Sequence, residues 1–194
     1  MPRWAAEDLP ALHRRALDQV YPLVAAIHPR QWPDRTPCTD WSVRDLLNHV
    51  VSENLWVPEL VAGKTIPEVG SRFDGDVLGR DPLTAFRASA KAAAAAFESP
   101  GALSRPVAIS YGPVPGSVLA GHRLLDVVVH GWDLATATGQ SNHLDPEVVQ
   151  AVWELVVEPE RRGLRESGVF GEEVPVPADA DLQTRLLGVL GRRA

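Results

Sequence analysis

The stretch SVLAGHRLLDVVVHGWDLATATG, Ser117 to Gly139, gathers two histidines and two aspartates onto what its spacing reads as a single helix. At about 100° per residue, with Asp126 at zero, His130 falls at about +40°, Asp133 at about −20° and His122 at about −40°, so all four share one stripe. Asp126 has an imidazole one turn away on either side. His122 and His130 stand about 12 Å apart along the axis, too far to share one ion comfortably. An i, i+4 carboxylate and imidazole can both reach one metal, and Asp126 with His130 is the favoured pair, although spacing alone also permits Asp126 with His122.

A polar stripe is also what a solvated helix face looks like, and periodicity does not say which side points inward. The rest of the wheel argues for burial. Leu119, Val129, Leu134 and Ala137 lie on or beside the polar stripe, and Leu124, Val128, Trp132 and Ala135 cover the far side. A helix apolar nearly all round is a buried one. Its Asp and His must then be paired, hydrogen-bonded or metal-bound.

Working outward, the 194 residues suit one domain, 1–194, with ample material for a core. The 19 basic and 25 acidic residues give a net charge of −6 and no basic run, which argues against nucleic acid or an anionic membrane as partner. The single cysteine, Cys38, excludes an intrachain disulfide framework and a Cys-rich zinc site, and suits a reducing cytoplasm. The N-terminal stretch MPRWAAEDLP has no apolar signal core. No apolar run approaches the roughly 18 residues a membrane span needs.

Upstream, Leu9, Leu12, Ala16, Val20, Leu23 and Ile27 are spaced by threes and fours, predicting an amphipathic helix over Asp8 to His28 with Pro22 inside it. Arg30 to Thr39 reads as a loop. Ser42, with Asp45 three residues on, resembles a capping box and opens a second helix that runs to Ala62, before Gly63. His49 shares a stripe there with Leu46, Trp56 and Leu60, so it faces inward, and Glu53 follows one turn later. Alone, an inward histidine is more often a hydrogen-bonded core residue than a ligand. Lys64 to Arg80 is too long for a tight turn and reads as a crossover or a loop over a site.

Asp81 and Pro82 open a third helix reaching Glu98, stopped by Pro100-Gly101. Val107, Ile109 and Tyr111 alternate as a short extended piece bracketed by Pro106 and Pro113. Beyond the central helix, Asp145-Pro146 opens a helix through Val157, and Asp179 opens a last one carrying Leu182, Leu186, Leu187 and Leu190. Four long helices and one extended crossover make a four-helix bundle the economical architecture, and bundles place metal ligands on facing helices. His49, Asp126 and His130 can all reach mid-bundle. Two histidines and a carboxylate would leave coordination positions open, as catalytic sites do.

The run Thr36-Pro37-Cys38-Thr39-Asp40-Trp41-Ser42-Val43-Arg44-Asp45-Leu46-Leu47-Asn48-His49, followed by Asp126-Val127-Val128-Val129-His130-Gly131-Trp132-Asp133-Leu134-Ala135, resembles the mycothiol-dependent maleylpyruvate isomerase branch of the DinB-like superfamily. The closing Leu186-Leu187-Gly188-Val189-Leu190-Gly191-Arg192 is similar to its actinobacterial members. The resemblance implies an all-α, DinB-like up-down-down-up four-helix bundle with additional C-terminal helices. It further implies a divalent metal, usually zinc, held by a His on the second helix and by a carboxylate or His plus a His on the fourth. Those positions fall on His49, Asp126 and His130. The family isomerase carries Glu where this chain has Asp126, and many relatives carry His, so the reach here is shorter by about one methylene.

The function expected from this resemblance is a cytoplasmic, metal-dependent enzyme acting through a low-molecular-weight thiol, mycothiol by analogy, as an S-transferase or isomerase of a small electrophile. A cation lowers the pKa of a bound thiol and orients the thiolate, which is the physical reason such a site suits that chemistry. Glu53 is the one candidate catalytic base, against the plainer reading of an exposed helix carboxylate. Asp133 is read either as orienting a ligand histidine or as solvent-facing, and Cys38 as a small buried thiol. The chain is expected as a monomer or homodimer. A metal-dependent hydrolase or oxygenase, or a non-catalytic bundle that binds a small ligand, are the other classes the residues allow.

Overall fold

The computed structural model describes residues 3–158, 163 and 170–194. Its helices are α1 (Leu9–Ala25), α2 (Val43–Val61), the single turn α3 (Ile66–Val69), α4 (Pro82–Phe97) and α5 (Gly116–Ala137). They are followed by α6 (Pro146–Val152), which continues as a π-helical turn over Trp153–Val157, and by α7 (Leu182–Val189). A hairpin of β1 (Pro106–Ile109) and β2 (Gly112–Pro115) links α4 to α5.

Side-chain contacts give the helix directions. Val20 lies against Gly131 and the Leu23 carbonyl accepts from Gln140, so α1 and α5 run the same way. Cys38, His49 and Asn54 meet Asp133, Asp126 and Arg123 in turn, so α2 runs against α5. Asn54 meets Ser89, and the Val61 carbonyl accepts from Arg105 beyond the end of α4, so α2 and α4 are parallel. The bundle is therefore up-down-down-up, with the additional helices α6 and α7 packed at its side. Its interior is filled by Leu46, Leu47 and Val50 of α2, Phe86 and Phe97 of α4, and Leu124, Leu125 and Leu134 of α5, all essentially inaccessible.

The local signals explain the helix ends. Ser42 accepts from the Asp45 amide and Asp45 returns a bond to the Ser42 amide, the reciprocal box that starts α2. Asp81 caps α4 through the Thr84 amide. The crossover is not plain loop: Thr65 and Glu68 form a second capping box around α3. Its remainder is tied to α2, where the Asn48 side chain bonds the Gly75 carbonyl and the Val77 amide, and Ser52 bonds the Phe73 carbonyl.

Three boundaries differ from the expectation, the first being α1, which ends at Ala25 rather than His28. The extended piece is one arm of a two-stranded hairpin, with Pro106 opposite Pro115 and Pro113 inside the second strand. Proline lacks a donor but still offers its carbonyl, which a strand in so short a ribbon tolerates. The last helix is capped by Asp181, whose carboxylate takes the Thr184 amide, rather than by Asp179. Both aspartates precede the leucines, but only Asp181 stands three residues before an unpaired first-turn amide.

Two close approaches depend on glycine. A Cβ on Gly116 would lie 1.9 Å from the Ala102 carbonyl oxygen, so the segment entering α5 can pass there only without a side chain. A Cβ on Gly131 would lie 2.8 Å from Val20 Cγ2, and its absence lets α1 sit close against α5.

Candidate metal centre

Helix α5 is buried on nearly every side, as its all-round apolar wheel requires; of its 22 residues only Thr136 is exposed. His130 and Asp133 are buried and Asp126 is partly so. On α2, His49 is carried two turns beyond the capping box to face them. The Nε2 atoms of His49 and His130 lie 3.4 and 3.2 Å from the same oxygen, Asp126 Oδ1. Donor atoms bound about 2.0–2.1 Å from a tetrahedral zinc are about 3.3 Å apart, so each histidine stands from the carboxylate at the spacing such an ion would need. Asp126 achieves this despite being one methylene shorter than glutamate.

The four polar residues of the helical stripe do not act together. His49, Asp126 and His130 form one group whose ligand atoms all lie within 4.8 Å of one another. His122 belongs to no such group among the described residues, and its ring instead lies 6.3 Å from that of Tyr111. Glu53 is 41% exposed at its side chain and stands 3.7 Å from the Arg123 guanidinium, beside the three donors rather than among them.

The loop before α2 shapes one wall. Thr36 Oγ1 donates to the carbonyls of Cys38 and Trp41, and the Trp41 amide donates to the Cys38 carbonyl. This tight turn lays the Trp41 ring on His49, with centroids 4.6 Å apart, and within 5.9 Å of His130. It also delivers the Cys38 thiol to Asp133.

Behind the donors lies a buried polar chain that the sequence reading did not identify. Arg123, 3% exposed, donates to Asp126 Oδ2 at 2.6 Å and to Asn54 Oδ1 at 3.2 Å; Asn54 Nδ2 approaches Ser89 Oγ at 3.4 Å. Arg123 stands one turn before Asp126, an opposite-charge i, i+3 pair that was the available signal. Burial disfavours the charged form of Asp126, but the neighbouring His130 and Arg123 outweigh it and hold its pKa well below the usual carboxylate range. Burial likewise opposes charge on His130, and Asp126 above all overcomes it, holding that pKa well above the ordinary imidazole value.

On its other side, His130 Nδ1 lies 3.0 Å from Asp133 Oδ2. An ionised carboxylate only accepts, so Nδ1 carries the proton of this bond. Cys38, His130 and Asp133 make a second convergent group. Here the Arg192 guanidinium already stands between the thiol and the carboxylate, with Nη2 at 3.0 Å from Cys38 Sγ and 2.9 Å from Asp133 Oδ2. A resident cation in that position makes the group a hydrogen-bonded relay rather than a cation site.

The chain has relatives among known proteins. Two uncharacterized proteins of Mycobacterium tuberculosis, MT0763 of strain CDC 1551 / Oshkosh and Rv0738 of strain ATCC 25618 / H37Rv, are each 37% identical over 183 residues, covering 93% of this chain and 95% of their own. Crystal structures of the mycothiol-dependent maleylpyruvate isomerase, in one of which a histidine is replaced by alanine, superpose with TM-scores of 0.60 and 0.61 over 88% of this chain and 75% of theirs, at 15% identity. That likeness is one of fold. Residues 13–135, from the first helix to the end of the Asp126–Ala135 motif, match the mycothiol maleylpyruvate isomerase N-terminal domain, and the chain belongs to that family.

Proposed function

We propose that the chain is a divalent-metal-dependent enzyme that activates a low-molecular-weight thiol, of the mycothiol type, for S-transfer to or isomerisation of a small electrophile. The observation that carries this reading is the convergence of two histidine nitrogens on one oxygen of Asp126 at 3.2 and 3.4 Å, with the carboxylate's other oxygen held by Arg123. His49, Asp126 and His130 would hold the ion, for which zinc fits the donor set. A bound cation supplies thiolate stabilisation and polarises an electrophile's oxygen.

The chain's own residues define the remaining chemistry. Three protein donors leave positions for a thiol and a substrate atom. Trp41, whose ring lies tilted against His49 with centroids 4.6 Å apart, would shield one side from water. Glu53, 41% exposed and 3.7 Å from the Arg123 guanidinium, would be the base that accepts a proton from an arriving thiol or substrate. Among the described residues no helix is long and apolar enough to cross a membrane. A cytoplasmic setting, where reduced thiols are held, agrees with this chemistry.

The same two-histidine, one-carboxylate set suits iron(II) in oxygenases, and elemental analysis of the isolated protein separates the two. The test of thiol activation is spectroscopic. Cobalt-substituted protein is expected to develop a thiolate-to-metal charge-transfer band on addition of mycothiol or a surrogate thiol. A cobalt protein whose spectrum is unmoved by thiol overturns the proposal, and a chain that takes up no metal leaves only a non-catalytic bundle.

A further inference from the structure

We infer that Arg192, from the segment that follows α7, is a positioning residue for the His49, Asp126 and His130 centre, acting through Asp133. The inference rests on the metal-site reading above. Asp133 is wholly buried, and the guanidinium grips both of its oxygens: Nε lies 3.3 Å from Oδ1 and Nη2 2.9 Å from Oδ2. A two-point fork fixes the plane of a carboxylate, which a single hydrogen bond leaves free to turn. With that plane fixed, Oδ2 holds the Nδ1–H of His130 at 3.0 Å, and the ring is oriented so that Nε2 faces Asp126 Oδ1 at 3.2 Å. A metal-binding imidazole is tuned through its second nitrogen in this way.

Arg192 is itself held. Its amide donates to the Leu187 carbonyl and Nη1 to the Leu190 carbonyl, and its guanidinium lies 5.9 Å from the Phe170 ring. Gly191, at φ +80°, makes the turn, and a Cβ there would lie 2.9 Å from the Gly171 backbone. Cys38 closes the arrangement, donating to Asp133 Oδ2 at 3.3 Å and accepting from Arg192 at 3.0 Å. Three segments distant in sequence therefore converge on one carboxylate whose free partner is the candidate ligand.

The experiment compares wild type, Arg192→Met and Arg192→Lys by zinc competition against a chromophoric chelator and by imidazole nitrogen NMR of the metal-free protein. Methionine keeps the stem and removes the fork; lysine restores one charge and one contact. Arg192→Met is expected to weaken zinc binding about 10- to 100-fold, the usual loss when an outer-shell partner is removed. It should also weaken the hydrogen bond from His130 Nδ1–H to Asp133, read as broadening or an upfield shift of that ring N–H resonance, and lysine should recover part of both effects. Unfolding temperatures taken alongside identify a change that is only structural. A folded Arg192→Met with wild-type zinc affinity and an unchanged His130 signature overturns the inference. If wild type binds no zinc, the metal-site reading fails, and the ring N–H signature alone then decides whether Arg192 orients His130. Should Arg192→Met fail to fold, the lysine variant carries the test, because loss of one fork contact must still move both readouts.

Discussion

Arg123 Nη1 lies 2.6 Å from Asp126 Oδ2, one turn back on the same helix, so the carboxylate turns its other oxygen toward both His49 and His130. The guanidinium is buried while Asp126 is 21% exposed, so the pair spans the boundary between the bundle interior and the open side of the site. The arrangement assigns the two oxygens different work: one neutralises a buried cation, the other faces the histidines.

Replacing Arg123 by Leu is therefore expected to destabilise the metal-free fold by about 1–3 kcal/mol, less than the roughly 3–5 kcal/mol of a fully buried broken pair because Asp126 retains some solvent. It should also weaken zinc binding, since Asp126 is then free to rotate. Urea denaturation and chelator competition measure the two effects. Wild-type values in both would show that the pair positions nothing.

His49→Ala, Asp126→Ala and His130→Ala should each remove most bound metal while keeping wild-type helicity, whereas His122→Ala should leave metal per chain nearly unchanged. Asp126→Ala is the one expected to lose stability without metal, because it leaves the buried Arg123 charge with only the longer, half-exposed pairing to Glu53 at 3.7 Å. Metal stoichiometry and circular dichroism of the four variants decide the ligand set. Loss of metal in His122→Ala with retention in His130→Ala would move the site one turn along α5 and away from His49.

Acid sensitivity should originate in part at His13, which is wholly buried edge-on to Phe97, with neither ring nitrogen hydrogen-bonded among the described residues. Burial first, then Arg123, lowers its pKa from 6.5 to about 3. Between those values the unfolded chain binds a proton that the folded chain does not, so this residue's contribution is complete above pH 6.5 and is lost as the pH falls toward 3. The slope is up to about 1.4 kcal/mol per pH unit. His13→Leu should flatten this limb and be neutral or stabilising at neutral pH, since the unpartnered nitrogens disappear. Urea denaturation of both proteins at neutral pH and at about pH 5 gives the comparison; equal acid losses would place the sensitivity elsewhere.

The helices of this protein can be read before it folds, because capping and amphipathic spacing act within one or two turns. Ser42 with Asp45, Asp81 with Pro82, and the all-round apolar wheel of α5 each specify their element locally, and burial of His130 and Asp133, with partial burial of Asp126, follows from that wheel. Even there, nearby alternatives such as Asp179 and Asp181 were separated only by which one reached an unpaired amide. The wheel also left His122 and His130 equivalent about Asp126. Packing separates them: α2 runs antiparallel to α5 and brings His49 to the Asp126 and His130 end, while His122 lies by Tyr111 in the hairpin. Arg192 and Cys38 meet Asp133 across 59 and 95 residues of chain. No local pattern encodes such a meeting, because it depends on surfaces that become neighbours only when the whole core closes and leaves their polar atoms no other partner.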